Sequence, residues 1–371
     1  MRFPHSRERS AVRRCPSTGV PSVMCPAAWP ALRPVRSTLL RAARLVRSKL
    51  RKETSLAKVK TAPPEQVRAS YEQHDRLTSN PASRGLFESN PPSLDEPQRE
   101  VLDGLSIDGF AIMPVAKLFS DEVWEELARD AAGYRREIES QLDSGTAAAA
   151  PRPWTRVRAR SSLVSKGGKE KFFMGRRYKR TPLTLDSPWL ALAASERMLD
   201  VVNSYLGMWS KLSYVDQWYT PPRGSEADRL GSMRWHRDYN DQHLVKVFVY
   251  LVDVDEGTGP FEYVPGSARG GPYADLWPWQ PAGDTYPAQD EFAQHVPMSA
   301  VRTFTAPAGS MIFCNTSGFH RGGFATEKPR DIFVFNYVSP AGLEALVSRN
   351  FQLKRSSVAQ LAEAQRFALT E

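Results

Sequence analysis

Residues 245–252 read Val-Lys-Val-Phe-Val-Tyr-Leu-Val, a run of β-branched and aromatic side chains that favours a β-strand. Five more short runs of this kind follow Gly207, and turns that contain Gly and Pro separate them. Short strands without helices between them are typical of a sandwich or barrel, not of a sheet built from βαβ units. The predicted strands are Lys211–Thr220 and residues 245–252, 261–264, 301–305, 310–315 and 331–338.

Helical patterns lie mainly before Gly207. Ser120 is a good N-cap because Asp121 and Glu122 follow it in the first turn, and apolar residues at helical spacing predict a helix to about residue 142. Further helices are predicted at residues 100–105, 187–206 and 342–369, with a short strand at 109–114. The predicted fold class is therefore mainly β with flanking helices, most of them from the N-terminal half.

Composition excludes several classes of protein. Of the 371 residues, 41% are apolar and 10% aromatic, which is enough for a core and excludes disorder throughout. No stretch approaches the ~18 uninterrupted apolar residues that cross a bilayer, so we expect no membrane span. Three scattered cysteines do not make a disulfide framework or a zinc cluster, which favours a reducing, cytoplasmic compartment.

The net charge of +9 is concentrated at the N-terminus, where residues 1–60 hold 15 Lys/Arg and 2 Asp/Glu. The rest of the chain is mildly acidic, with 35 basic and 39 acidic side chains, which argues against binding along a nucleic-acid backbone. We expect residues 1–94 to be a basic, Pro-rich, disordered tail and linker, with a short helix near 65–77. The folded domain is expected to span residues 95–371.

The basic segment at residues 39–47 could form an amphipathic helix. One interpretation is an organellar transit segment, which in a eukaryotic source would place the protein in the mitochondrion. Others are a membrane-surface or nucleic-acid arm. The alternative is an unstructured tail, or an upstream start codon with Met24 or a later residue as the true start.

A His-x-Asp pair and a distant histidine have the residue types of a metal site. In an extended segment residues i and i+2 point the same way, so His236 and Asp238 can face one point. His320 lies at the exit of an apolar strand, and glycines beside it allow a tight turn that brings its ring inward. Two imidazoles and one carboxylate are the facial triad of non-haem Fe(II), which leaves coordination positions open.

Arg330 follows His320 by ten residues and opens the last predicted strand. A guanidinium there could hold one end of a dicarboxylic acid while the other end chelates the metal.

At this point the chain resembles the phytanoyl-CoA dioxygenase family, over roughly residues 100–340. The order of the motifs is more telling than any one of them. The segments that carry the resemblance are Trp-His-Arg-Asp at 235–238, the strand and turn at 246–255, the segment ending in Pro-Gly-Ser at 259–267, residues 308–313, His320 and Arg330.

The resemblance implies a double-stranded β-helix (jelly-roll, cupin-like) core and an oxygenase domain that uses Fe(II), 2-oxoglutarate and O₂. By it, His236, Asp238 and His320 bind iron, and Arg330 pairs with the distal carboxylate of 2-oxoglutarate. The implied reaction hydroxylates an aliphatic C–H with release of succinate and CO₂. Two residues depart from the family pattern: Ala268 replaces the histidine that closes the Pro-Gly-Ser-His turn, and Gly322 replaces a frequent hydroxyl residue.

Four further side chains are candidates for the site. Lys246 could assist the co-substrate carboxylate if its strand face points into the barrel, and is otherwise an outward lysine. Gln217 could contact the co-substrate or the substrate, or be an ordinary strand residue. Trp235 and Tyr239 flank the metal ligands and could line the substrate pocket, although core packing explains them equally well.

The predicted function is a hydroxylase of a small-molecule or acyl substrate, as a monomer or homodimer. One alternative is a jelly-roll protein that binds metal without turnover. Another is an oxygenase that acts on a macromolecule and docks it on the basic, aromatic strip at residues 169–180. The loop at residues 270–294, with Trp277, Trp279 and Tyr286, is predicted to be an apolar lid.

Overall fold

Antiparallel strands form the centre of the structure. The computed structural model describes residues 79–143, 154–156, 173–178, 182–223, 229, 231–279, 286–342 and 350–370. Ten strands lie within these ranges: β1 (Phe110–Pro114), β2 (Trp154–Arg156), β3 (Phe173–Arg176), β4 (Lys211–Thr220), β5 (Leu244–Tyr250), β6 (Phe261–Tyr263), β7 (Arg302–Phe304), β8 (Ser310–Cys314), β9 (His320–Arg321) and β10 (Arg330–Val338). The larger sheet has the order β1-β8-β5-β10-β4-β3-β2, and the smaller one β7-β6-β9.

Strands β5 and β10, at the centre of the large sheet, explain why the apolar runs in the sequence are nearly continuous. Every residue of β5 and of β10 is buried, because both faces of the large sheet are covered. A strand covered on both faces carries apolar residues almost continuously instead of alternating. In the register of the sheet, Val334 of β10 lies between Phe248 of β5 and Asp216 of β4.

Helices cover one face of the large sheet. They are α1 (Pro81–Ser89), α2 (Glu96–Asp108), α3 (Val115–Leu118), α4 (Asp121–Asp143), α5 (Pro188–Ala193), α6 (Glu196–Leu206), α7 (Gln289–His295), α8 (Arg355–Val358) and α9 (Glu363–Leu369), and not all of them touch the sheet. The main core lies between helices and sheet, where the Trp189 ring of α5 stacks on Phe333 with 3.7 Å between ring centroids. Truncating a buried aromatic of this kind costs about 3–5 kcal/mol.

The smaller sheet covers the opposite face through a second apolar cluster. This cluster joins side chains of both sheets, among them Phe248, Ile312 and Ile332 from the large sheet and Phe261 and Phe304 from the small one. The protein is therefore a mixed structure of two facing antiparallel sheets with helices on one outer side. The sheets and the flanking helices were predicted, but the described part of the chain is not mainly β, because its helices span more residues than its strands.

Several elements differ from the sequence prediction. The helix expected at 187–206 is two helices: α5 ends at Ala193 with Ala194 as its C-cap, and Ser195 caps α6 by accepting from the backbone N–H of Met198. Helix α7 lies between β6 and β7, where no helix was predicted. The described C-terminal residues contain two short helices in place of one long one.

Helix α1 lies inside the segment predicted as linker. Its Ser83 hydroxyl donates to the Trp209 carbonyl at 2.5 Å, which joins α1 to the folded domain. The domain boundary near residue 95 remains a prediction, and the interpretations of residues 1–78 fall outside the described residues. No helix in the described part of the chain is both long and apolar enough to traverse a bilayer.

Candidate metal centre

The backbone brings the two distant histidines together. His236 and His320 form an antiparallel bridge in which each backbone N–H donates to the other residue's carbonyl at 3.0 Å. Their rings lie with centroids 4.2 Å apart. The same bridge continues the small sheet, since His320 is the first residue of β9 and pairs with Tyr263 of β6.

Asp238 joins them from the same extended segment. Its backbone N–H donates to the Thr316 carbonyl at 2.8 Å, and its carbonyl accepts from the Trp279 indole at 2.6 Å. The carboxylate oxygens then lie 4.0 Å from Nε2 of His236 and 3.6 Å from Nε2 of His320. The i, i+2 spacing therefore presents both side chains to one point, as the sequence predicts.

Hydrogen bonds fix which ring nitrogen faces the centre. Nδ1 of His236 lies 2.8 Å from the Arg234 carbonyl, and Nδ1 of His320 lies 3.0 Å from the Gly318 carbonyl. A carbonyl only accepts, so each Nδ1 carries the proton and each Nε2 keeps its lone pair. Burial lowers the pKa of both imidazoles, that of His320 to about 3, so both rings are neutral.

These three side chains fit a metal ion. Their donor atoms lie within 4.8 Å of one another and all three residues are buried. Two neutral nitrogens and one carboxylate oxygen match Fe(II), and three donors leave coordination positions for other ligands. Burial acts to raise the pKa of Asp238, but Lys246 and the two histidines together outweigh it and hold that pKa well below its usual range, so the carboxylate is ionised.

A cavity of about 220 Å³ opens beside the three donors, with mostly aromatic and aliphatic walls. Arg330, 6% exposed, reaches it from the start of β10. Its Nη1 donates to the Gly259 carbonyl at 3.1 Å, while its buried Nε has no hydrogen-bond partner among the described atoms. A buried cation without a carboxylate partner is costly, so this arrangement fits the carboxylate of a bound acid.

The sequence model of the family described as "Phytanoyl-CoA dioxygenase (PhyH)" matches residues 112–332. The chain belongs to the phytanoyl-CoA dioxygenase family. Enzymes of this family use Fe(II), 2-oxoglutarate and O₂, and the His-Asp-His cluster is a group of donors that could hold the iron. The protein is accordingly a non-haem Fe(II)/2-oxoglutarate-dependent oxygenase.

Among solved structures, the chain is similar to the non-heme α-ketoglutarate-dependent epimerase SnoN from nogalamycin biosynthesis, with 19% identity, a TM-score of 0.42, and 65% of this chain and 83% of that one covered. It is also similar to EctD from S. alaskensis with bound Fe (16%, TM-score 0.43, 71% and 91% covered). A third is AviO1 from Streptomyces viridochromogenes Tue57 (16%, TM-score 0.43, 68% and 98% covered). The chain has no match among the curated proteins.

Lys246 and Tyr239 also line this family member's cavity, whereas Trp235 does not. The Lys246 face of β5 does point inward, but its ammonium lies 2.5 Å from Oδ2 of Asp238. Trp235 packs instead on Phe292, with 4.7 Å between ring centroids, so core packing is the interpretation that the structure favours for it.

Gln217 does not join the site. It lies on the helix-facing side of β4, and its amide donates to both carboxylate oxygens of Asp331 at 3.1 Å. Burial raises the pKa of Asp331 to about 7. Both faces of β4 are buried, so strand alternation alone does not tell which face meets the cavity.

Two further residues belong to the centre: Tyr286, which the sequence placed in the apolar lid, and Arg237, which it did not predict as part of the site. Tyr286 stacks on the His236 ring, with centroids 5.0 Å apart, from the loop predicted as a lid. Arg237, between the two donors, turns into the protein and is 1% exposed. Its guanidinium donates to six carbonyls, those of Ser267, Tyr273, Ala274, Leu276, Trp277 and Ser317. An arginine at position i+1 of a His-x-Asp pair, on the face opposite the ligands, is the signal that could have found it.

Proposed function

We propose that this oxygenase hydroxylates an aliphatic C–H of a small-molecule or acyl substrate. One oxygen atom of O₂ enters the substrate as the hydroxyl group, and the other enters succinate as 2-oxoglutarate loses CO₂. The observation that carries the proposal is the combination, in one cavity, of the three donors with a buried arginine that has an unpaired Nε.

In this proposal His236, Asp238 and His320 hold the iron, and Arg330 holds the distal carboxylate of 2-oxoglutarate. The core is a double-stranded β-helix, which is supported by the two facing antiparallel sheets and by the position of the site between them. Bound iron would supply the activation of O₂. A carboxylate at position 238 favours hydroxylation over halogenation, because it occupies the position that a halide would need.

The chain's own residues act by orientation and charge. The Nδ1–carbonyl hydrogen bonds hold both Nε2 lone pairs toward the centre, so no reorganisation is needed when metal binds. The guanidinium of Arg330 neutralises one carboxylate of the co-substrate inside the protein, where that charge would otherwise be expensive. The walls at Phe248, Phe261 and Ile332 exclude water around the co-substrate carbons.

The contacts of the basic strip at residues 169–180 favour a small substrate over a macromolecule. Of residues 169–180, the described arginines already have internal partners: Arg176 pairs with Asp216 at 2.6 Å and Arg177 with Asp130 at 2.5 Å. These two side chains are committed to the fold and are not available to hold a polyanion. In the rest of the strip, residues 173–175 belong to β3, Tyr178 lies in the turn after it, and residues 169–172 and 179–180 lie outside the described residues.

The experiment is anaerobic titration of the purified protein with Fe(II) and then 2-oxoglutarate, followed by the visible charge-transfer absorption of the chelate. We expect the band in the wild type, its loss in His236→Ala, and at least tenfold weaker 2-oxoglutarate binding with unchanged metal binding in Arg330→Ala. Arg366→Ala, a remote arginine on α9, is the control and keeps the wild-type values. If Arg330→Ala binds 2-oxoglutarate with wild-type affinity, the assignment of Arg330 to its distal carboxylate is refuted. A separate screen for metabolites that stimulate succinate release would distinguish a hydroxylase from a metal-binding protein without turnover.

A further inference from the structure

A second cavity, of about 370 Å³, lies apart from the cavity of the metal centre. Its walls are the last turn of α2, the turn at residues 266–271 after β6, and the segments that precede β5 and follow β8. Among the described residues, none lines both cavities. The loop after β8 contributes to each of them separately, with Asn315 and Ser317 at the second cavity and His320 at the metal centre.

The floor of the second cavity is polar and uncharged. Its buried polar residues include Gln242, Asn315 and Ser317, which are 7%, 9% and 4% exposed. The acid and the arginine among the lining residues, Asp108 and Arg269, lie on the exposed rim and have opposite charges. A buried ion needs a counter-charge, so this floor favours an uncharged ligand.

Gln242 is the buried side chain that most clearly indicates a ligand. Neither its amide nitrogen nor its amide oxygen has a hydrogen-bond partner among the described atoms. Buried amides are nearly always hydrogen-bonded, because an amide without a partner loses its hydration for nothing in return. The occupant of the cavity is therefore expected to both donate to and accept from this side chain.

Asn315 sets the hydrogen-bonding direction of two hydroxyl groups beside it. Its Nδ2 donates to the Tyr205 hydroxyl at 2.8 Å, and its Oδ1 accepts from the Ser317 hydroxyl at 2.7 Å. The Tyr205 hydroxyl therefore keeps its own proton to donate, and the Ser317 oxygen keeps lone pairs to accept. The cavity thus offers donors and acceptors together, which matches a ligand rich in hydroxyl groups, since each hydroxyl donates and accepts.

We propose that the second cavity binds a small uncharged polyol, of the sugar or cyclitol class. Its hydroxyl groups pair with Gln242, Tyr205 and Ser317, and its C–H groups pack against Leu105, which is 1% exposed. The volume lies in the range of about 300–1,000 Å³ that small-molecule sites have. Ordered water is the alternative occupant, and the experiment separates the two.

The test uses the full-length protein without added metal or 2-oxoglutarate, and saturation-transfer NMR titrations with four probes. D-Glucose and myo-inositol are the neutral polyols, and D-gluconate and protonated D-glucosamine are their charged counterparts. We expect saturation transfer to at least one neutral probe, and binding of both charged probes that is weaker by about tenfold or more.

Two substitutions locate the bound probe. Gln242→Leu removes the amide and keeps its bulk, and Ala268→Leu fills the cavity from the turn after β6 without changing a polar group. Each weakens binding of the neutral probe by about tenfold or more. Gln294→Leu, which removes an exposed glutamine of α7, is the matched control and keeps the wild-type affinity.

Loss of binding is separated from loss of folding by the thermal midpoint. The Gln242 amide has no partner in the empty protein, so Gln242→Leu does not lower the midpoint; if it does, Ala268→Leu decides the outcome. Absence of saturation transfer to both neutral probes would leave water as the occupant and overturn the proposal. Equal binding of the charged probes, or wild-type affinity in the deciding variant, would overturn it as well. Because metal and 2-oxoglutarate are absent, the result is independent of the proposed function.

Discussion

Arg237→Met is the substitution whose effect on stability follows most directly from the contacts. The guanidinium ties three segments to the residue between His236 and Asp238. It donates from Nε to the Trp277 carbonyl at 3.0 Å and from Nη1 to the Ser317 carbonyl at 2.9 Å. It also lies over the Phe319 ring, 3.8 Å from the centroid.

The magnitude follows from what methionine leaves behind. Six carbonyls lose a charged donor, and removing one side of a buried charged network costs about 3–5 kcal/mol. The lost cation–π contact adds about 2 kcal/mol at a desolvated site, and the methionine's apolar contacts offset part of the total. We expect a loss of about 4–6 kcal/mol, which is a large part of the ~5–15 kcal/mol that stabilises an ordinary domain.

The assay is urea unfolding followed by tryptophan fluorescence, with metal affinity measured in parallel. Lys at position 237 keeps the charge and three donors, so Arg237→Lys loses about half as much stability. Arg366→Met, on α9, stays within about 0.5 kcal/mol of the wild type. A loss under 1 kcal/mol in Arg237→Met with unchanged metal affinity would refute the view that this guanidinium holds the loops around the centre.

Three other substitutions test separate parts of the structure. Burial raises the pKa of Asp331 to about 7, so between about pH 4 and 7 the folded protein keeps a proton that the unfolded chain has lost. The stability of the wild type relative to Asp331→Asn therefore falls by on the order of 4 kcal/mol as the pH rises through this window. A difference in urea midpoints that does not change with pH would contradict this. In Gly323→Ala the new Cβ would lie 1.4 Å from the Gly259 carbonyl oxygen and 2.5 Å from Nη1 of Arg330, so we expect a loss of at least ~1–3 kcal/mol and weaker 2-oxoglutarate binding by calorimetry. Gly133→Ala on the exposed side of α4 meets no atom within 4 Å and raises stability by about 1 kcal/mol; a lower thermal midpoint would contradict the helical assignment there.

The sequence predicted the strands better than the faces of those strands. Runs such as 245–252 are long and apolar enough to identify β5, because a strand buried on both sides has no polar interruptions. For the same reason alternation did not place Lys246 or Gln217. Both side chains face a buried layer. Only the register of the neighbouring strands shows that Lys246 faces the cavity and that Gln217 faces the helices.

The pairing of the candidate donors His236 and Asp238 was predictable because their spacing is local. His236 and Asp238 are two residues apart in an extended segment, and the structure places both beside His320. The position of Arg237 opposite the ligands was readable from strand alternation, but its partners are main-chain carbonyls, which the sequence does not identify. The break between α5 and α6 depends likewise on a local detail, the Ser195 hydroxyl that caps the second helix.

The reciprocal main-chain bridge between His236 and His320 has a consequence for how the enzyme gains and loses its ion. Main-chain hydrogen bonds hold the two ends of the long segment between these histidines together. The entropic cost of bringing the ends together is therefore met when the protein folds and not when the ion binds. A chelator would therefore strip the site without melting the sheets, unlike a zinc finger, whose architecture collapses with its ion. The emptied site can then bind an ion again, and exchange of one divalent ion for another becomes a reversible step inside an already folded protein.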